Sequence, residues 1–288
     1  MTESPPITVG VDGSSSSPAT TAHAAAIATR RGAPLRIVHA YLNPLYSYPM
    51  LAYAGDPSDV EMREHAERIL RELVESVRAD NPGLDVEGEF VDGTAAAALV
   101  ERSAGSAVTV IGSRGHGGFA GLLLGSVSTQ VAGHGSGPVV VVHDRDGERA
   151  EDAPVAVGYD ASEGSESALL FAADEALSRG TVLEVLCFHT PGDDEERPKA
   201  EEIVADAVRR LTASHPDLKV DGQAVEGMDP AFRLITRSRS AALTVVGSRG
   251  MGGFTGMLLG SVGRTLLHHA YGPIAVVHPR EVRDQNDG

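Results

Sequence analysis

Two stretches, GSRGHGGFAGLLLGS at 112–126 and GSRGMGGFTGMLLGS at 247–261, are one segment written twice in this chain. Each follows an apolar run of strand type, AVTVI at 107–111 and ALTVV at 242–246, and ends at Gly-Ser before a helix-period stretch. Glycines recur at the same steps, Gly112, Gly115 and Gly125 in one, Gly247, Gly250 and Gly260 in the other. Glycine lets backbone approach a ligand without a Cβ in the way and accepts positive φ, expected here at Gly115. Successive exposed N–H groups make an anion-binding concavity. A helix beginning near Ser126 or Ser261 turns its positive dipole end to the same point. Strand, glycine loop and helix in that order place the loop at the carboxyl edge of a sheet, where open α/β folds bind ligands. A plain tight turn would account for one G-x-x-G. It does not account for the shared spacing, the closing Gly-Ser and the duplication together. The residues predict a polyphosphate cradle in each copy.

Outward from these loops the rest of the chain also repeats. ITVGVDGSSSSPAT at 7–20 matches VAVGYDASEGSESA at 155–168, with Asp12 over Asp160. LRIVHAY at 35–41 matches LEVLCFH at 183–189, and NPGLDVEG at 81–88 matches HPDLKVDG at 215–222. GPVVVVH at 137–143 and GPIAVVH at 272–278 close the two copies. The first copy carries extra residues after Tyr41, assigned to the tyrosine-containing stretch 43–59 and expected to form a surface loop. Within each copy, apolar runs alternate with helix-period segments, and the strongest runs are apolar on both faces, as in a parallel sheet covered on both sides. The expectation is an α/β chain of two tandem Rossmann-like domains, each a five-stranded parallel sheet with helices on both faces. The domains are drawn at 1–146 and 152–288, joined by the charged segment DRDGERAEDAP at 144–154.

Composition narrows the function. A net charge of −16 over 288 residues repels nucleic-acid phosphate and anionic membrane at long range. No apolar run approaches a membrane span, and the first residues show no basic-then-apolar leader. The single cysteine, Cys187, excludes an internal disulfide and fits a cytoplasmic setting, and its strand-like surroundings suit a buried core thiol. Neither a Walker lysine motif nor a G-x-G-x-x-G after the first strand is present. Asp12, after that strand, could cap a helix, bond a ribose or hold a metal on the phosphates. Arg114 and Arg249 either balance phosphate charge or pair with a neighbouring acid. Ser14–Ser17 serves either phosphate or helix capping. His143 and His278 end matching strands and read as structural. The pair His268–His269 lacks a third ligand at zinc spacing.

With Asp12 and Asp160 after the first strand and G-x2-G-x9-G-S after the fourth, both copies resemble the universal stress protein domain, over about residues 5–143 and 153–279. The resemblance implies ATP, with Mg²⁺, in each copy. It places adenine near His39 and Ala40, and phosphates on Gly115 and on Gly125 through Ser128. The full set implied in the first copy is Gly10, Val11, Asp12, His39, Ala40, Gly112, Ser113, Arg114, Gly115, His116, Gly117, Gly118, Gly125, Ser126, Val127 and Ser128. In the second it is Gly158, Tyr159, Asp160, Phe188, Gly247, Ser248, Arg249, Gly250, Met251, Gly252, Gly253, Gly260, Ser261, Val262 and Gly263. Gly263 stands where the first copy has Ser128, so the second site lacks one hydroxyl. The resemblance further implies pairing through the final strands, Val139–Val142 against Ile274–Val277, and a homodimer through those edges. The function expected is an ATP-binding regulatory protein of stress-response type that holds its nucleotide without efficient turnover. The alternative is a slow Mg²⁺-dependent ATPase or a self-phosphorylating enzyme using Asp12 or Asp160.

Overall fold

A computed structural model describes residues 4–42, 57–115, 124–143, 150, 152–250 and 259–279. The first repeat runs β1 (Ile7–Val11), α1 (Ser17–Arg31), β2 (Leu35–Tyr41), α2 (Pro57–Asp80), β3 (Val86–Asp92), α3 (Ala95–Ser103), β4 (Val108–Gly112), α4 (Ser126–His134) and β5 (Pro138–Val142). The second runs β6 (Val155–Gly158), α5 (Glu163–Arg179), β7 (Leu183–His189), α6 (Glu196–Ser214), β8 (Val220–Glu226), α7 (Pro230–Arg237), β9 (Leu243–Gly247), α8 (Ser261–His269) and β10 (Ile274–Val277).

Local sequence sets these boundaries. Alanine-rich α1 has proline in its first turn and stops at Gly32, whose φ of 57° turns its N–H back to the Ala28 and Thr29 carbonyls. In α5 the Ser162 hydroxyl caps the Ser165 N–H, and Gly180 at φ 67° repeats the stop. The central strands β1, β4 and β5 are nearly continuous valine and isoleucine, since both of their faces are covered.

All ten strands form one sheet in the order β3-β2-β1-β4-β5-β10-β9-β6-β7-β8. Pairing is parallel within each repeat. The repeats meet where β10 runs antiparallel to β5, with Ile274 opposite Val141 and Val277 opposite Pro138. Strand side chains alternate between two cores. Ile7, Val9, Val140 and Val157 pack with residues of α1, α2, α5 and α6 on one face. Val38, Ile111, Val139 and Val141 pack with Leu99, Val131, Leu234 and Leu266 of α3, α4, α7 and α8 on the other.

This architecture corrects the expected dimer surface. The edges of β5 and β10 are taken up by each other inside one chain, so they are closed to a second copy. The outer strands of the described sheet are β3 and β8. A second tie between repeats lies on the α1/α5 face. There Glu175, its side chain 1% exposed, accepts from Arg31 at 2.8 Å and Arg179 at 3.3 Å, with Arg30 3.9 Å away. Burial opposes the Glu175 charge, but Arg179, Arg31 and Arg30 outweigh it and hold the carboxyl below its ordinary range. The expected loop at 43–59 falls largely outside the described residues, with α2 under way from Pro57.

Candidate functional site

At the carboxyl edge of each half-sheet lies one cavity, about 420 Å³ in the first repeat and about 630 Å³ in the second. Both fall within the range of small-molecule sites. Each is bounded by the end of the first strand, the two ends of the glycine segment and the start of the helix that follows.

The two ends of the glycine segment are stapled together. Ser113 N–H donates to Val142 O at 2.7 Å, and Gly125 N–H to Ser113 O at 2.8 Å. Ser248 N–H donates to Val277 O at 2.9 Å, and Gly260 N–H to Ser248 O at 2.8 Å. Ser113 and Ser248 are themselves buried, and their side chains do not line the cavities. Gly125 and Gly260 are the N-caps of α4 and α8 and bring no side-chain acceptor. The bonds Thr129 N–H to Gly125 O and Arg264 N–H to Gly260 O start each helix ladder. The N–H groups of Ser126, Val127 and Ser128, and of Ser261, Val262 and Gly263, therefore lie in the first turn, with no acceptor inside the helix. All six residues line the cavities. This is a place for an anion.

The aspartates sit beside the cradles. Asp12 Oδ1 accepts from Ser14 N–H at 3.0 Å and Ser17 Oγ at 3.3 Å. Asp160 Oδ1 accepts from Ser162 N–H at 3.0 Å and Ser162 Oγ at 2.5 Å. The residue after each aspartate is left-handed, Gly13 at φ 77° and Ala161 at φ 61°. Gly115 and Gly250 are required for a different reason from the one expected, because neither has a positive φ. A Cβ on Gly250 would lie 2.5 Å from Asp160 Oδ2, and one on Gly115 would overlap Asp12 Oδ2. Glycine here makes room for a carboxylate.

Most of the expected residues converge. Gly10, Val11, Asp12, Ala40, Gly112, Arg114, Gly115 and Gly125 line the first cavity, and Gly158, Tyr159, Asp160, Phe188, Gly247, Arg249, Gly250 and Gly260 the second. His39 does not. It alternates to the opposite face of β2 from Val38 and Ala40, where it stacks on Phe90 with ring centres 5.8 Å apart. The Ser128 hydroxyl, expected to serve a phosphate, donates to Gly112 O at 2.7 Å and so braces the loop. His116, Gly117, Gly118, Met251, Gly252 and Gly253 lie outside the described residues.

Sequence reasoning missed the apolar walls and one side of the second cavity. Leu99 faces Gly10, where a Cβ would lie 2.5 Å from its Cδ1, and Leu234 faces Gly158, where a Cβ would lie 3.0 Å from its Cδ1. Lys199, Glu196, Ala200 and Ile203 of α6 line the second cavity together with Cys187. Burial, then the Asp160 charge, push the Cys187 thiol up to about 11, so it stays protonated. The Tyr159 hydroxyl donates to Glu166 at 2.7 Å and accepts from Arg210 at 2.9 Å. Burial, then Glu166, push that phenol up to about 12. Neither group is a base at neutral pH. Among the described residues no three His, Cys, Asp or Glu side chains group as a metal cage.

Two open α/β units sharing one sheet, each with a carboxyl-edge crevice over an uncapped helix start, define a tandem α/β fold with one crevice per repeat. The universal stress protein family matches residues 4–143 and 153–278. A universal stress protein of Mycolicibacterium smegmatis is 36% identical over 287 residues, spanning 95% of this chain and 97% of its own length. One from Mycobacterium tuberculosis is 37% identical over 286 residues, spanning 94% and 96%. A solved universal stress protein from Archaeoglobus fulgidus shares the fold, with a TM-score of 0.70 over 97% of this chain and 98% of that one, at 22% identity. The chain belongs to the universal stress protein family, as two tandem copies.

Proposed function

We propose that each repeat holds one adenine nucleotide, with ATP as the principal form, and that the protein is a regulatory binder which holds its ligand without efficient turnover. The observation that carries this reading is the duplicated cradle. An uncapped helix start, a stapled glycine loop and an aspartate face one cavity in both repeats. The base fits the apolar wall, made by Val38, Ala40 and Leu99 in one repeat and by Phe188, Pro230 and Leu234 in the other. The phosphates fit the first turns of α4 and α8, with Arg114 and Arg249 lining the same cavities. Mg²⁺ usually takes one or two carboxylates plus phosphate oxygens, so Asp12 or Asp160 suffices as the protein ligand.

Holding is favoured over hydrolysis by the state of those aspartates. Each has one carboxylate oxygen committed to its own loop, which suits a bracing role. Slow hydrolysis or self-phosphorylation is the competing reading of the same groups.

Gly125→Asp and Gly260→Asp test the assignment. Asparate at an N-cap favours a helix, and a Cβ at either position meets nothing closer than 3.5 Å. Its carboxylate would then take the N–H groups assigned to phosphate. By titration calorimetry with Mg·ATP, each single variant is expected to lose one site and the double variant both, with the circular dichroism spectrum unchanged. Wild-type binding by the double variant would refute the site.

A further inference from the structure

Each cavity is lined by one repeat, but the helix that opens it is held at its far end by the other. A nine-residue helix such as α4 or α8 leaves its last carbonyls without intrahelical donors. In α4, Ala132 O accepts from His278 Nε2 at 2.8 Å, and His278 belongs to the second repeat. In α8, Leu267 O accepts from His143 Nε2 at 3.0 Å, and His143 belongs to the first. The positions correspond, His143 to His278 and Ala132 to Leu267, so the chain makes one contact twice in opposite directions. A carbonyl acceptor requires the proton on Nε2 in both rings. Each cradle helix thus has its N-terminus in its own site and its C-terminal turn held by the other repeat.

The bridges also connect the two loops. Val142, whose carbonyl holds Ser113 of the first loop, directly precedes His143, which holds the helix of the second cradle. Val277, whose carbonyl holds Ser248 of the second loop, directly precedes His278, which holds the helix of the first. Antiparallel pairing of β5 with β10 brings both histidines to the helices they cap.

We propose that His143 and His278 are positioning residues for the cradle of the opposite repeat, so that the affinity of each site depends on a side chain of the other repeat. The proposal rests on the nucleotide reading above. Losing one such hydrogen bond at a helix end should weaken the facing site by roughly three- to tenfold.

The test uses full-length chains with one site blocked. Gly260→Asp leaves the first site and Gly125→Asp the second, and each is combined with His143→Ala, His278→Ala and their glutamine counterparts. Mg·ATP affinity is read by calorimetry. The expected pattern is crossed. His278→Ala weakens the first site and leaves the second within about twofold, whereas His143→Ala does the reverse. Glutamine, which keeps a side-chain N–H donor, restores affinity and guards against a simple folding defect. Losses confined to each histidine's own repeat, or equal in both sites, would overturn the cross-repeat assignment and leave the nucleotide reading standing. No binding in either background, nor in the parent chain, would overturn that reading and this proposal with it.

Discussion

Gly250→Ala puts a methyl 2.5 Å from Asp160 Oδ2, where an ordinary contact needs about 3.5 Å. The loop backbone is stapled at Ser248, so relief has to come from the carboxylate swinging away by roughly 1 Å. That swing strains the bonds Asp160 accepts from Ser162 N–H at 3.0 Å and Ser162 Oγ at 2.5 Å. Hydrogen bonds to a charged acceptor contribute about 1.5–3 kcal/mol when buried, and Asp160 is half-buried, so the pair should forfeit about 2 kcal/mol. Alanine recovers about 0.4–1 kcal/mol by restricting the unfolded chain. The expected net loss is about 1–2 kcal/mol in urea denaturation, with weaker binding at the second site. A double-mutant cycle isolates the cause. In an Asp160→Ala background the same glycine substitution should cost less than about 0.5 kcal/mol, since the obstructing oxygen has gone. An equal cost in both backgrounds would refute the apposition of Gly250 and Asp160 as the reason for the glycine.

Other expectations follow from the same geometry. Glu175→Gln leaves three arginines around a neutral amide and should cost about 2–4 kcal/mol by urea denaturation; a change below 0.5 kcal/mol would contradict the buried charge pairing. Gly13 and Ala161 share a left-handed backbone, so Gly13→Ala should lose about 1–2 kcal/mol while Ala161→Gly is neutral or gains up to about 1 kcal/mol, and like signs for the two would count against the strain. Burial, then Arg249 and His134, lower the His278 pKa from 6.5 against the opposing pull of its bond to Ala132. The unfolded chain therefore takes that proton first, and this contribution to stability, full above 6.5, is lost as pH falls through 6.5 towards the folded value. Urea midpoints at several pH values should fall less steeply in His278→Gln, though not become flat, because His268 is lowered as well, by burial, His269 and Arg264.

Much of the fold was legible because each helix and strand announces itself locally. Alanine-rich α1 with its Gly32 stop, the valine run of β5 and the glycine spacing needed no distant partner to be read. What stayed hidden depends on residues far apart in sequence. Arg31 reaches Glu175 across the repeats, and His143 reaches the carbonyl of Leu267. The joining of β5 to β10 was foreseen as pairing of final strands, but its consequence, that these edges are spent within one chain, appears only in the assembled sheet. His39 was expected beside adenine, and its side chain lies on the other face of β2 from the crevice. Neighbouring residues of a strand point to opposite faces, so Ala40 and His39 cannot both send side chains into one crevice. The positive φ expected at Gly115 is absent, since sequence carries the glycine but not the carboxylate lying against it.

On the function proposed above, both cradles hold adenine nucleotide. The most direct measurement is to denature freshly purified protein and quantify released nucleotide per chain by chromatography, before and after incubation with Mg·ATP. Close to two nucleotides per chain, chiefly ATP, is the expected result. A preparation that carries none and takes up none on incubation would contradict the account, and chiefly ADP would replace a protein that holds ATP with one that turns it over.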